Sequence, residues 1–148
     1  MISQTAEYAL RAVVYLASQT GSPRTVAHIA EATHAPERYL AKIMLGLSRA
    51  GLVKSKRGLD GGFMLAGKPE ELSILAIIGA VDPIRKFAEC PLGIESHGRK
   101  LCPLHSRLNE AAEMIEKAFD DTKVAELATP PRAAKALCKF PAITAHTP

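Results

Sequence analysis

The stretch ERYLAKIMLGLSRAGLVKSKRGLDGGF, residues 37–63, decides the fold class of this 148-residue chain. Its first half repeats apolar residues at the spacing of one buried helix face: Leu40, Ile43, Met44 and Leu47. Gly51 can then supply a left-handed helix stop, and a basic extended segment turns through glycines before Phe63. A helix followed by a glycine-tipped basic hairpin predicts a winged helix-turn-helix fold, mainly α-helical with a small β wing.

Further helices are expected on both sides of this stretch. Ser3 and Thr25 are suitable N-caps for two earlier helices, and a tight turn at 33–35 completes a helix-turn-helix. Ser73 is a suitable N-cap for an apolar helix after the wing, and the longest helical pattern spans 104–119. The apolar stripe of this long helix has no obvious partner in its own chain. We therefore expect it to join two copies as a homodimer, with packing on the first helix as the alternative.

These patterns divide the chain into four parts. They are a winged helix-turn-helix DNA-binding domain at 1–83, a cysteine-containing sensor loop at 84–103, a dimerisation helix with a short terminal helix at 104–128, and a tail at 129–148. The tail is rich in proline and alanine, which predicts poor order.

The basic charge is concentrated in the first half of the chain. Residues 1–68 contain nine Lys and Arg against four Asp and Glu (+5), residues 69–148 contain ten against eleven (−1), and the two sum to +4. The excess coincides with the predicted helix and wing, as expected if double-stranded DNA is the partner. A solubilising basic surface is the alternative.

Other classes of protein find little support in the composition. No apolar run is long enough to span a bilayer, and no signal-peptide pattern opens the chain, so no membrane partner is expected. An odd count of three cysteines argues against a disulfide-stapled secreted domain and favours a reducing cytoplasm. Without a triad-like set, a phosphate loop or paired carboxylates, we expect neither an enzyme nor a small-molecule substrate.

The residues suited to site chemistry lie in and beside the loop. Cys90 and Cys102 are separated by eleven residues, and His105 follows three residues after Cys102 at the predicted helix start. Thiolate and imidazole are ligands for soft and borderline metals, and a helix N-terminus favours the thiolate. A structural role, or a reversible Cys90–Cys102 disulfide, remains open as an alternative. Cys138 in the tail is interpreted as unrelated.

The order of these features resembles the IscR/NsrR (Rrf-two) family of bacterial winged-helix regulators. The matching stretches are TAEYALRAVVYLA (5–17), RYLAKIMLGLSRAGLVKSKRG (38–58), ILAIIGAVD (74–82) and CPLH (102–105), within a likeness that covers 1–128. The resemblance implies a homodimeric transcriptional regulator, a repressor, that binds a DNA operator. It also implies an iron–sulfur cluster, usually 2Fe–2S, that reports redox, iron or nitric oxide status.

The family's cluster ligands carry over to three residues of this chain: Cys90, Cys102 and His105. The middle cysteine of the common pattern is absent, with Ser96 or His97 near its place. Some relatives take a fourth ligand from an acidic residue in the first helix of the partner subunit, and Glu7 falls on that position. Ligation of this mixed kind raises the potential of a cluster above that of all-cysteine sites. A residue that complements the helix dipole is the alternative role for Glu7.

Six residues are expected to contact DNA: Arg38, Tyr39 and Lys42 on the exposed face of the recognition helix, and Lys54, Lys56 and Arg57 on the wing. Arg57 falls on the arginine that relatives insert into the minor groove, where narrow A/T-rich segments attract it. The two wing lysines are expected to contact phosphate. Ala41 replaces a base-reading glutamate of one relative, so that relative's operator is not assumed here. Two alternatives remain, namely that Tyr39 packs on the second helix and that the winged fold binds a protein instead of DNA.

Overall fold

The computed structural model describes residues 2–19, 21–93 and 101–128. In this part of the chain six helices and two strands follow one another as α1 (Gln4–Ala17), α2 (Val26–Thr33), α3 (Glu37–Arg49), β1 (Val53–Lys56), β2 (Gly62–Leu65), α4 (Ile74–Val81), α5 (Pro103–Asp121) and α6 (Val124–Ala128). The predicted fold class, mainly α with a two-stranded wing, is confirmed. Ser96, His97, Cys138 and the tail at 129–148 lie outside the described residues.

Side-chain caps begin three of the helices where the sequence predicts them. The Oγ atoms of Ser3 and Ser73 each accept a hydrogen bond of 3.2 Å from the backbone N–H three residues later. The Thr25 hydroxyl accepts an equivalent bond of 3.3 Å at the start of α2. Because these bonds satisfy backbone donors that lack a partner within the helix, they define where α1, α2 and α4 begin.

The core forms around α1, which packs against α2, α3, α4 and α6. The largest fully buried side chains come from these helices and from β1: Ile29, Leu40, Met44, Leu47, Ile77, Ile78, Val13, Val53 and Val124. Val124 belongs to the short terminal helix, and its backbone N–H donates to the carbonyl of Leu72 at 2.9 Å. The last described helix is therefore part of the winged core rather than an extension of α5.

The wing is a two-stranded antiparallel hairpin, with Val53 opposite Leu65 and Lys56 opposite Gly62. Its returning strand is tied to the segment before α2, since Arg24 and Phe63 exchange two backbone hydrogen bonds of 2.9 and 2.7 Å. At Gly62 the backbone has φ +150°, and a Cβ atom there would lie 2.4 Å from the carbonyl oxygen of Arg24. Only glycine permits this close approach.

The long helix α5 begins at Pro103, one residue before the expected start, and contacts the rest of the chain mainly through α4. Its last turns are anchored by Phe119, which packs beside Ala6, Ile74 and Ile78. Three apolar side chains of α5 are exposed, Leu104 by 62%, Leu108 by 45% and Met114 by 68%. Leu104 and Leu108 belong to the predicted apolar stripe, so its first turns are uncovered in one chain, while Ile115 and Phe119 are half-buried. Among the described residues, no helix is both long and apolar enough to cross a membrane.

Candidate metal centre and nucleic-acid interface

The predicted DNA-binding cations form an exposed surface on α3 and the wing. Arg38 and Lys42 lie on the solvent side of α3, whose opposite face carries the buried Leu40 and Leu47. Lys54 and Lys56, two residues apart on β1, are also exposed, and Arg57 follows at the start of the turn. None of these five cations pairs with an acidic residue in the part of the chain that the structure describes. Their charges are therefore open to an anionic partner.

Tyr39 lies on α3 at the edge of this surface but contacts α1. Its hydroxyl is hydrogen-bonded to that of Thr5, and its ring meets Tyr8 edge-on at 6.0 Å between centroids. The side chain remains 40% exposed. The alternative considered from the sequence was that this tyrosine packs on the second helix. In the structure it packs on α1 instead and so connects α1 to the recognition helix α3.

Glycines allow the tight turn of the wing, and the tip of this turn is apolar. Gly58 has φ +106°, and its carbonyl accepts a 2.9 Å hydrogen bond from the N–H of Gly61. Between them Leu59 is fully exposed. Sequence analysis did not single out this leucine, although its place between two glycines in a polar turn was a visible signal.

Cys90, Cys102 and His105 converge into one buried group. Their ligand atoms all lie within 4.8 Å of one another. The Nδ1 atom of His105 is 3.0 Å from the Cys102 sulfur and 3.8 Å from the Cys90 sulfur. Because Cys102 and His105 are separated by one turn at the start of α5, the helix itself sets their spacing. Cys90 is brought to them by the segment that follows α4.

The surroundings of Cys102 favour its thiolate. The pKa of this thiol is lowered from an ordinary value of 9.0 to about 7, chiefly by the backbone amide of His105. The His105 ring acts in the same direction, as do the Cys90 thiol and the backbone amide of Leu104, while burial acts in the opposite one. Amide groups of a first helical turn stabilise an anion in this way. A buried thiolate beside a second thiol and an imidazole is a donor set suited to a soft or borderline metal.

Residues that the sequence analysis missed fasten this group to α5. The backbone N–H of Phe87 donates to Asn109 Oδ1 at 2.9 Å, and Asn109 Nδ2 donates to the Phe87 carbonyl at 2.8 Å. The Phe87 ring also meets the His105 ring edge-on at 4.5 Å. Beside it the Lys86 ammonium lies 2.7 Å from a carboxylate oxygen of Glu116, which raises the pKa of the lysine. No short-range sequence pattern connects positions 22 residues apart.

Comparison of this chain with known proteins agrees with the combination of a basic winged surface and a buried cysteine–histidine group. Residues 2–130 match the Rrf2 family, described as iron-dependent transcriptional regulators. The chain belongs to the Rrf2 family. The resemblance drawn from the sequence is thereby confirmed, and so is the expectation of a DNA-binding regulator that is not an enzyme.

Several individual relatives of this Rrf2 chain are similar over most of their length. The transcriptional regulator NsrR of Geobacillus kaustophilus is 31% identical over 127 residues, covering 82% of this chain and 84% of the relative. The solved structure of T. potens IscR superposes with a TM-score of 0.69 at 28% identity, covering 86% of this chain and 85% of the other. CymR, the global cysteine regulator of B. subtilis, superposes with a TM-score of 0.68 at 28% identity, covering 86% and 95%.

Glu7, the ligand expected from the partner subunit, lies in the first turn of α1 in this Rrf2 chain. Its carboxylate forms an ion pair with Arg11, one turn further along the helix, and its side chain is 47% exposed. Arg11 also donates to the Thr33 carbonyl at 3.3 Å. The described metal-ligating group of a single chain comprises the two cysteines and His105, without Glu7. The role of Glu7 across a dimer therefore stays a prediction.

Proposed function

We propose that this Rrf2 regulator is a cytoplasmic, homodimeric repressor that binds a double-stranded operator and senses redox, iron or nitric oxide status through an iron–sulfur cluster. One observation carries the sensing part of the proposal. Two cysteines and a histidine, with eleven residues between Cys90 and Cys102, bring their ligand atoms within 4.8 Å in a buried position. Buried groups of this kind are either satisfied structurally or coordinate metals, and the family is described as iron-dependent.

The donor set fits a metal group. Donor atoms within 4.8 Å of one another can converge on a metal group, since zinc–sulfur bonds, for example, are about 2.3 Å and zinc–nitrogen bonds about 2.0–2.1 Å. Cys90, Cys102 and His105 would supply three ligands, and Glu7 of the partner subunit the fourth. A 2Fe–2S cluster held in this way would supply a redox-active group, and replacement of cysteine by nitrogen and oxygen ligands would raise its potential.

Exposed apolar surface supports the homodimer. Leu104, Leu108 and Met114 point away from the core of their own chain on a helix of 19 residues. Association of two such helices buries these side chains, and a two-fold arrangement uses the same patch twice. In the assembled dimer Glu7 would exchange its ion pair with Arg11 for the metal group.

The DNA-binding part of the proposal is supported by the distribution of unpaired cations. Arg38 and Lys42 would reach base edges in the major groove, with Tyr39 beside them, while Arg57 would enter the minor groove. Lys54 and Lys56 would contact phosphates and set the position of the wing. The separation of the two recognition helices in a dimer must then match half-sites about one helical turn, or a multiple of it, apart.

The first test is the composition of the full-length protein purified without oxygen. We expect visible absorption bands, with iron and sulfide in equal amounts, and their loss in His105→Ala. Glu7→Ala should weaken retention of iron, while Glu31→Ala, which removes an exposed carboxylate from α2, should not. A colourless protein without iron after anaerobic reconstitution would contradict the cluster.

A second candidate function is a thiol switch, favoured by the close approach of the two buried sulfurs. Peroxide would oxidise one thiol to a sulfenic acid, and the second thiol would then attack this sulfur, form the disulfide and release water. Mass spectrometry of the peroxide-treated, metal-free protein tests this. A Cys90–Cys102 bridge that changes operator affinity would favour the switch, and the absence of this bridge would exclude it.

A further inference from the structure

The side chain of Asn109 binds both backbone polar groups of Phe87, which lies three residues before Cys90. Its amide oxygen accepts from the Phe87 N–H at 2.9 Å, and its amide nitrogen donates to the Phe87 carbonyl at 2.8 Å. One side chain thus satisfies both backbone groups of a residue in an irregular segment. Such a paired contact fixes the position and the direction of the chain at Phe87.

The neighbouring contacts lie along the same face of α5. The Phe87 ring packs on His105 at 4.5 Å, and Lys86 lies 3.7 Å from Glu113 and 2.7 Å from Glu116. Positions 105, 109, 113 and 116 follow each other at helical spacings of four, four and three residues. Residues 86–87 therefore lie flat along three turns of the helix that also carries Cys102 and His105.

We propose that Asn109 is a positioning residue for the cysteine–histidine group. It holds Phe87, and through it Cys90, against Cys102 and His105, and so it controls how often Cys90 leaves the group. This inference deepens the proposed sensing site and rests on it for the metal, but the control of Cys90 exposure applies equally to the metal-free chain. A ligand held in place by such a support is released more slowly than one on an unrestrained loop.

The test measures alkylation of the reduced, metal-free, full-length protein by iodoacetamide, followed separately for each cysteine by peptide mass spectrometry. Asn109→Ala is expected to accelerate modification of Cys90 about tenfold, because the two hydrogen bonds from the Asn109 side chain to the Phe87 backbone are lost. Asn109→Asp keeps the acceptor, loses the donor and should give a smaller increase. The matched control is Arg107→Ala, which removes the exposed Arg107–Glu110 pair from the same helix and should leave the rate unchanged.

The relative rates of the two cysteines separate positioning from general unfolding. A positioning role accelerates Cys90 more than Cys102, which is fixed at the start of α5. Equal acceleration of both thiols, or a Cys90 rate equal to that of the wild-type protein, would overturn the inference.

The loaded protein gives an independent reading. After anaerobic reconstitution with iron and sulfide, Asn109→Ala should lose iron to a chelator about tenfold faster than wild type. An unchanged release rate would overturn the inference as it concerns the metal. If no variant binds iron but Cys90 is still selectively exposed by Asn109→Ala, the proposed cluster fails and the positioning role stands.

Discussion

The α3–wing surface and the cysteine–histidine group are built in opposite ways. The first is continuous in the chain, within residues 37–63, and presents exposed cations. The second is buried and joins Cys90 to Cys102 and His105 at the start of α5. Local periodicity and turn chemistry are enough to specify the first, whereas the second depends on contacts between distant segments. We therefore expect mutations in the α3–wing surface to leave iron retention unchanged, and mutations in the cysteine–histidine group to affect DNA binding only through the state of that group.

The largest effect is expected when a proposed metal ligand is removed. Cys102→Ser replaces a buried thiolate by a hydroxyl, which is a poor ligand for a soft metal, and should reduce iron affinity at least about hundredfold. The measurement is the iron content after anaerobic reconstitution and gel filtration. Cys138→Ser is the matched control and should retain iron. Retention of iron by Cys102→Ser would remove this cysteine from the ligand set.

The next effect concerns the stability of the wing. Gly62→Ala places a Cβ atom 2.4 Å from the Arg24 carbonyl oxygen at a φ of +150°. The free energy of unfolding should fall by about 2–4 kcal/mol, because the strand bridge between Arg24 and Phe63 must open. Thermal denaturation measures this. Gly67→Ala has open space around the added methyl group and should change the melting temperature little; equal effects would show that the close approach is unimportant.

A smaller effect is expected from loss of the wing arginine. Arg57→Ala should weaken binding to an operator with A/T-rich flanks by about 1–3 kcal/mol, because it removes the guanidinium proposed to enter the narrow minor groove. Fluorescence anisotropy with operator DNA at fixed salt is the measurement. Arg107→Ala makes the same change in net charge on α5. If both variants lose the same affinity relative to the wild-type protein, Arg57 acts only through its charge, and a minor-groove role is wrong.

The smallest effect is expected from a single phosphate contact. Lys54→Ala should weaken binding to all DNA sequences alike and reduce the slope of log affinity against log salt by about one, since one fewer counterion is displaced. Binding titrations at several salt concentrations measure the slope. Lys123→Ala removes a cation that lies outside the wing, between α5 and α6, and should leave the slope unchanged. A loss confined to one operator would assign Lys54 to base recognition instead.

The features that the sequence reveals follow the same division. The caps at Ser3, Thr25 and Ser73 and the hairpin after Gly51 were predictable because each depends on neighbours within a few residues. The three members of the cysteine–histidine group were predictable from ligand chemistry and family resemblance. Its support by Asn109 was not, because an asparagine on an amphipathic helix carries no signal of a partner 22 residues earlier.

The sequence by itself determined the winged fold, the basic surface of α3 and the wing, and the identity of the three candidate ligands. Helical period, glycine turns and side-chain chemistry are local properties, so they can be recognised without coordinates. Only the tertiary structure decided that Tyr39 joins α1 to α3, that Arg24 braces the wing, and that Phe87 is bound to α5 beside His105. These contacts bring together residues far apart in the chain, and their geometry arises only when the whole core packs.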